Sequence, residues 1–393
     1  MVVFYDTPRN HRYSETVISL QQAVETARLM GFRMVALPAD FDECGGADNA
    51  LAYLPEQDPG TRGLFIGFIP LPQRYTDLYE VALSRNVRLM NTLEEHRLAM
   101  EFDRFYPLIA DLTFESRVIE DVAQLGEAED LGYPLFVKGA IKSDKERGIK
   151  FCVAQTREEL LSLCEPLLRR AYTSRNKVVV RRFERLRHVR TTAAGFPVGR
   201  EYRVFLLSSK VVAYEYYWGD EDELSPLTSQ EKDEVLGLAQ QCAVRLKVPF
   251  LAVDIGQLED GRWKVVETGD PQCSGLKERT ALKVWAALRD AVMSTPEIPI
   301  VCTLTSEELR ERRTTLLDRV GRAVQERQER EQGFAYRFAP DAFDDLVQVI
   351  RLERQCCAFL RFSLTAEPGN GPLWLEVTGP VGTKDFLGSF LHG

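Results

Sequence analysis

The chain is poor in the residues that mark several common chemistries. Its only histidines are His11, His96, His188 and His392, dispersed along 393 residues. None forms a defensible pair with a serine or cysteine, so a side-chain nucleophile with its own base is not expected. The eight cysteines (Cys44, Cys152, Cys164, Cys242, Cys273, Cys302, Cys356, Cys357) show no CxxC spacing. That argues against a structural zinc framework and for reduced, mostly buried thiols. No apolar run has the length needed to span a bilayer. The opening "MVVFYDTPRNHRYSE" lacks a signal-peptide core, so the expected location is the cytoplasm. No GxxxxGK[ST] phosphate loop occurs. Basic excess is missing too. The net charge of −9 argues against a general nucleic-acid binder, because phosphate backbones reward basic surfaces.

What is present is a soluble globular composition, 45% hydrophobic and 28% charged, in a chain long enough for two or three domains. Up to about residue 104, amphipathic helices such as "SLQQAVETARLMG" alternate with short apolar strands such as "GLFIGFIP". Thr92 and Glu95 form a capping box for "LEEHRLAMEF". Such alternation predicts a parallel sheet flanked by helices. Residues 105–297 carry strands at hairpin spacing and two interrupting helices, which predicts an α+β domain built on antiparallel sheet. A Pro-containing connector, "STPEIPIVCTLTS", leads to a small α+β domain over residues 303–393. That domain is predicted to open with a charged helix from Ser306 to about Gln332 whose apolar stripe includes Leu309, Leu316, Leu317, Val320 and Val324.

One hairpin poses a question. "FLAVDIGQLEDGRWKVVETGD" places Asp260-Gly261 at a turn between two apolar strands. Counting back pairs Leu258 with Trp263, Gly256 with Val265, and Asp254 with Glu267. Two carboxylates then share one face, about 5 Å apart at Cβ, where like charges destabilise. A cation between them turns the repulsion into coordination, and a carboxylate pair beside phosphate suits Mg²⁺. Gly256 and Gly269 leave room on that face, and Asp270 and Gln272 offer further oxygen. The alternative is that both acids are solvated or paired with arginines.

Neighbouring strands add the opposite charge. "YPLFVK" ends in Lys138, and the loop "GAIKSDKERGIK" adds Lys142, Lys145, Arg147 and Lys150. A strand-end lysine beside a basic loop suits a di- or triphosphate. "REYRVFLL" puts Glu201 and Arg203 on one strand face, where buried charge needs a partner. "VVVRRFERLRHVR" contributes Arg181, Arg182, Arg185, Arg187 and Arg190.

In this order the strands resemble an ATP-grasp fold over residues of about 105–290, with the preceding α/β domain such a fold usually follows. The resemblance implies that Lys138 in "YPLFVKG" grips phosphates together with Lys142. "VVVRRFE" resembles the hinge strand whose backbone reads adenine, which implicates Val180, Arg181 and Arg182. Glu201 in "GREYRVF" resembles the acid that binds ribose hydroxyls. Asp254 in "AVDIG" and Glu267 in "VVETGD" resemble paired Mg²⁺ ligands. The sequence departs from the family's pattern in three places. Gly269 stands where the metal strand commonly has Asn, leaving Asp270 or Gln272 to supply that ligand. Arg181 stands at an often acidic hinge position, and Arg104 at an upstream lysine. The implied activity is ATP-dependent ligation of a small carboxylate, an amino acid or a peptide to an amine or thiol through an acylphosphate. ATP and Mg²⁺ would be the cofactors and Arg203 and Lys138 the catalytic cations. No membrane partner is expected. The alternatives are a nucleotide-binding regulator without ligase chemistry, or a protein acting on a polyanion through the arginine cluster. Cys356-Cys357 weakly resembles a "CC-x-F" core motif and is expected to be buried rather than metal-binding.

Overall fold

The computed structural model describes residues 1–7, 15–38, 41, 51, 53–218, 222–293, 316–330, 332–357, 359–379 and 383–387. The chain divides into two compact units, Met1–Val292 and Met293–Gly393. No helix among the described residues is long and apolar enough to cross a membrane.

The first unit begins with the expected parallel sheet. Strands β1 (Val2–Asp6), β2 (Arg33–Leu37), β3 (Thr61–Ile66) and β4 (Val87–Leu89) lie in the order β2-β1-β3-β4. Alternate residues face opposite ways, so both faces need cover. Val2 and Phe4 pack with Leu78 and Val81 of helix α2 (Pro72–Ser84). Val3 packs with Leu20 and Val24 of helix α1 (Glu15–Leu29). Helix α3 (Leu93–Met100) starts at the predicted capping box: Glu95 N donates to Thr92 Oγ1 at 3.3 Å, and Thr92 N to Glu95 Oε2 at 2.7 Å.

Two antiparallel sheets follow. Strands β5 (Ser116–Ile119), β6 (Leu135–Gly139), β7 (Val153–Ala154) and β8 (Val178–Arg182) lie in the order β5-β8-β6-β7. A short ribbon of β9 (His188–Thr191) and β10 (Pro197–Gly199) leads to the last sheet. There β11 (Glu201–Leu207), β12 (Lys210–Tyr216), β13 (Phe250–Gln257) and β14 (Trp263–Gly269) lie in the order β12-β11-β13-β14. Leu251, Val253 and Ile255 of β13 face back onto helix α4 (Ser229–Leu246), through Ala239 and Cys242. On the front, Phe205, Ala213, Phe250 and Ala252 join the core that holds Val3 and α1. Asp254, two residues beyond Ala252, begins the part of this face that is not apolar.

The second unit is a four-stranded antiparallel sheet, β15 (Glu326–Arg330), β16 (Gly333–Phe338), β17 (Arg361–Ala366) and β18 (Leu373–Thr378), ordered β15-β16-β18-β17. With helix α5 (Phe343–Cys356) it encloses a core that includes Phe334, Phe338, Leu346, Val349 and Leu375. The charged helix expected to reach Gln332 ends earlier. A short helix covers Asp318–Arg322, and "ERQER" is instead an edge strand, from Glu326 opposite Arg337 to Arg330 opposite Gly333. Pairing with β16 supplies the backbone bonds that a helix would have made internally, and its charges suit an edge. Leu316, Leu317 and Val320 do enter this core, as does Cys357, which is 1% exposed. The connector, the start of the charged helix with Leu309, and the Cys356 side chain fall outside the described residues.

Candidate active site

The β13–β14 hairpin differs from its sequence reading by two shifts that cancel. Its loop is Glu259-Asp260-Gly261, closed by Leu258 N donating to Arg262 O at 2.8 Å, with Gly261 at φ 90. Only glycine adopts that angle without strain. The longer loop moves the register by one, so Gln257 opposes Trp263 and Gly256 opposes Lys264. A bulge at Val266 then restores the pairing of Asp254 with Glu267. Two neighbours hold the bulge: Arg181 Nη1 donates to Val266 O at 3.0 Å, and Thr113 Oγ1 to Val265 O at 2.7 Å.

The other hairpin of the sheet is bulged as well. Leu206 opposes Val211, but Phe205 opposes Ala213, which puts Arg203 opposite Glu215. Arg203 also opposes Asp254 in β13. One cross-sheet row therefore reads Glu215, Arg203, Asp254, Glu267, with all four side chains on the front face. Each outer strand uses its bulge to bring an acid into the row, a common use of bulges beside functional sites.

The pairing of this row is specific. Arg203 donates from Nε and Nη2 to the two Asp254 carboxylate oxygens, at 2.7 Å each. Lys138 Nζ donates to Glu267 Oε2 at 2.6 Å, and the Lys138 side chain is 2% exposed. The acids thus face each other with a cation apiece. Burial holds the Asp254 carboxyl above its usual range despite Arg203. Burial would also raise Glu267, but Lys138 and Lys145 outweigh it and hold that carboxyl down. Burial pulls the Lys138 ammonium below its usual range, with Glu267 opposing.

Lys145, rather than Lys142, is the inward lysine of the basic loop. Its Nζ lies 4.0 Å from Glu201 and over the rings of Tyr217 and Trp218, at 4.6 and 4.8 Å. Lys142 is exposed and paired with Glu146 at 3.1 Å, so its assignment to the site is corrected. Glu201 is buried beside this cluster, and desolvation raises its carboxyl. Arg181 is buried between Phe114 and Phe136, 4.9 and 4.8 Å from the ring centres.

Two cavities adjoin the row. A slot of about 70 Å³ is lined by Phe136, Lys138, Arg181, Glu201, Glu267 and residues 183–186. A wider cleft of about 570 Å³ is lined by Arg203, Glu215, Tyr217, Trp218 and Lys277, with Ser19 and Gln22 of α1 opposite. Lys145 lines both.

Several expected residues stand elsewhere. Val180 is fully buried in the core between β6 and β8, and its backbone lies in the ladder with both Arg117 and Val137. Arg181 and Arg182 do line the slot, but the main chain free to meet a ligand begins past the strand. Among the described residues, Glu184 makes no backbone hydrogen bond. The space over Gly256 is taken by Leu186, whose Cδ1 would lie 2.9 Å from an added Cβ. Gly269 does leave room, since its added Cβ would meet only Ser274 Oγ at 3.7 Å. Arg104 pairs with Glu101 at 2.7 Å and Glu94 at 3.0 Å and does not line the slot.

Asp270 points away from the row. Strand alternation turns it and Thr268 toward α3, where Thr268 Oγ1 donates to Ala99 O. Asp270 Oδ2 lies 2.8 Å from His96 Nδ1 and accepts from Gln272 Nε2 at 2.9 Å. Gln272 in turn donates to Tyr75 and accepts from Phe65 N. Neither Asp270 nor Gln272 can join Asp254 and Glu267, and among the described residues no three His, Cys, Asp or Glu side chains gather as a metal cluster. The donor set is two carboxylates, which suits Mg²⁺ bound together with phosphate oxygens better than a metal caged by protein alone.

Residues 74–288, more than half of the chain, match a family model described as an ATP-grasp domain, the third family of its clade. The chain belongs to this ATP-grasp family. Solved structures of similar fold include D-alanine–D-alanine ligase from Bacillus anthracis, 14% identical, covering 80% of this chain and 98% of that one at a TM-score of 0.50. Another is D-alanyl-alanine synthetase A from Vibrio cholerae O1 biovar eltor, 12% identical, covering 75% and 98% at a TM-score of 0.50. At these identities the likeness concerns the ATP-grasp fold alone. No curated protein matches the chain significantly.

Proposed function

We propose that this ATP-grasp protein is an ATP-dependent ligase that activates a carboxylate as an acylphosphate and joins it to a nucleophile. The observation that carries the reading is the charged row meeting two cavities at Lys145. The narrow slot suits a flat ring, with adenine against Phe136 and the free main chain at Glu184 and Glu201 near the ribose. Phosphates would then reach the junction, where Lys138, Lys145 and Arg203 supply positive charge. Asp254 and Glu267 would hold Mg²⁺ there, and the ion would neutralise phosphate charge. To receive ligand, Lys138 and Arg203 need only exchange one partner for another.

In the first step a substrate carboxylate oxygen attacks the γ-phosphorus and the bond to the bridging oxygen breaks, its electron pair leaving with ADP. In the second, the nucleophile attacks the acyl carbon and phosphate departs. These steps need positioning and charge neutralisation rather than a side-chain nucleophile, in keeping with the sparse, dispersed histidines.

Calorimetry with ATP and Mg²⁺ tests the nucleotide site. Lys138→Ala is expected to weaken binding by up to about 3 kcal/mol, and unchanged affinity would remove Lys138 from the site. The two-carboxylate donor set also favours a second reading, a regulator that binds ATP without turning it over. ATP binding with no ADP release across amino-acid and peptide pools would select it.

A further inference from the structure

The wider cleft contains a carboxylate that the nucleotide reading leaves unused. Glu215 ends the charged row on β12 and lines the cleft of about 570 Å³. Its Oε2 is buried and has no hydrogen-bond partner among the described residues. The adjacent cations are directed elsewhere. Arg203 gives Nε and Nη2 to Asp254. Lys277 Nζ donates to the carbonyl oxygens of Tyr216, at 2.5 Å, and Trp218, at 2.9 Å. An acceptor left without a donor costs free energy, more so when charged.

We propose that Glu215 receives the ammonium group of the nucleophilic substrate, which makes that substrate a primary amine rather than a thiol. The inference rests on the ligase reading and names its second substrate class. An ammonium group offers three donors and the charge that the unpartnered oxygen lacks, whereas a thiol offers a weak donor and no charge. Ile18 and Leu276 line the same cleft, so an alkyl stem behind the ammonium meets apolar surface. Burial holds the Glu215 carboxyl above its usual range, with Thr280, Lys277 and Arg203 acting against it, as expected of a group awaiting a cation. Glu215 lies across Arg203 from Asp254 and Glu267, so an amine held there faces the end of the row assigned to phosphate.

The test uses the full-length protein and n-propylammonium chloride as probe. Binding is followed by intrinsic fluorescence, to which Trp218 of the cleft contributes, with and without ATP and Mg²⁺. Saturable binding of n-propylammonium, but not of propionate or propanethiol, is expected. Glu215→Gln should weaken it at least tenfold while ATP affinity stays within twofold. Glu215→Asp, which keeps the charge but retracts the oxygens, should fall between. Wild-type probe affinity in folded Glu215→Gln, or no saturable probe binding to wild-type protein, overturns the proposal. The ligase reading fails separately, by absence of ADP release.

Discussion

Opposite faces of β14 carry two clusters of buried charge built from similar residues but with different connections. On one face Asp270, His96, Gln272 and Tyr75 form a knot in which the Asp270 and His96 side chains are 0% and 3% exposed. Every connection is short and comes from a rigid element: α3 supplies His96, α2 supplies Tyr75, and β3 supplies the Phe65 N–H. Tyr75 also stacks on His96, with ring centres 4.0 Å apart. On the other face Glu267 and Asp254 are each held by one long, flexible cation beside a cavity. A saturated knot on rigid elements fixes architecture. Pairs made by single mobile side chains beside open space can exchange partners with a ligand.

The comparison predicts effects of different kind and size. Asp270→Ala should cost the most stability, about 3–5 kcal/mol, because it strands His96 and Gln272 in a dry core. Urea denaturation measures this, and the fraction that folds should bind ATP normally. A variant of wild-type stability with lost ATP affinity would invert the roles of the two faces.

Glu267→Gln should cost less, about 1–2 kcal/mol, since Lys138 can shed its proton when its partner is gone. Its main effect should be on ADP release, a loss on the order of 100-fold. Acid titration gives an independent readout. Glu267 is held below its ordinary value of 4.5 in the folded state. Its ion pair therefore contributes fully above about pH 4.5 and is lost as pH falls through the folded value, where the unfolded chain binds more protons. The acid limb of stability against pH should be shallower in Glu267→Gln. An unchanged limb would show that the pair with Lys138 contributes nothing.

Gly269→Asn should have the smallest effect on stability, within about 0.5 kcal/mol, because the added Cβ meets only Ser274 Oγ at 3.7 Å. It would add a third oxygen beside Asp254 and Glu267 and should tighten Mg²⁺-dependent ATP binding. A loss above about 1 kcal/mol would mean that the space is less open than it looks.

Much of this was legible in the chain itself. Alternation put Glu201 and Arg203 on one face, the Thr92–Glu95 box set a helix start, and strand spacing separated a parallel sheet from antiparallel ones. These features depend on residues a few positions apart, so local periodicity suffices. Alternation also carried a warning about Asp270, three residues from Glu267 and hence on the opposite face. The resemblance to the family's metal strand pointed the other way.

Tertiary structure decided the rest. Counting from the Ser208-Ser209 turn would set Tyr214 opposite Arg203, and only the bulge puts Glu215 there. Asp254 and Glu267 were paired correctly from the sequence because a longer loop and a bulge cancelled, and that bulge is held by Arg181 and Thr113. Lys145 and Lys142 are indistinguishable in a basic loop until Tyr217, Trp218 and Glu201 select one. "ERQER" reads as helix until β16 offers it an edge. In each case the deciding contact comes from another strand or loop, and its energy outweighs the small local preference written in the sequence.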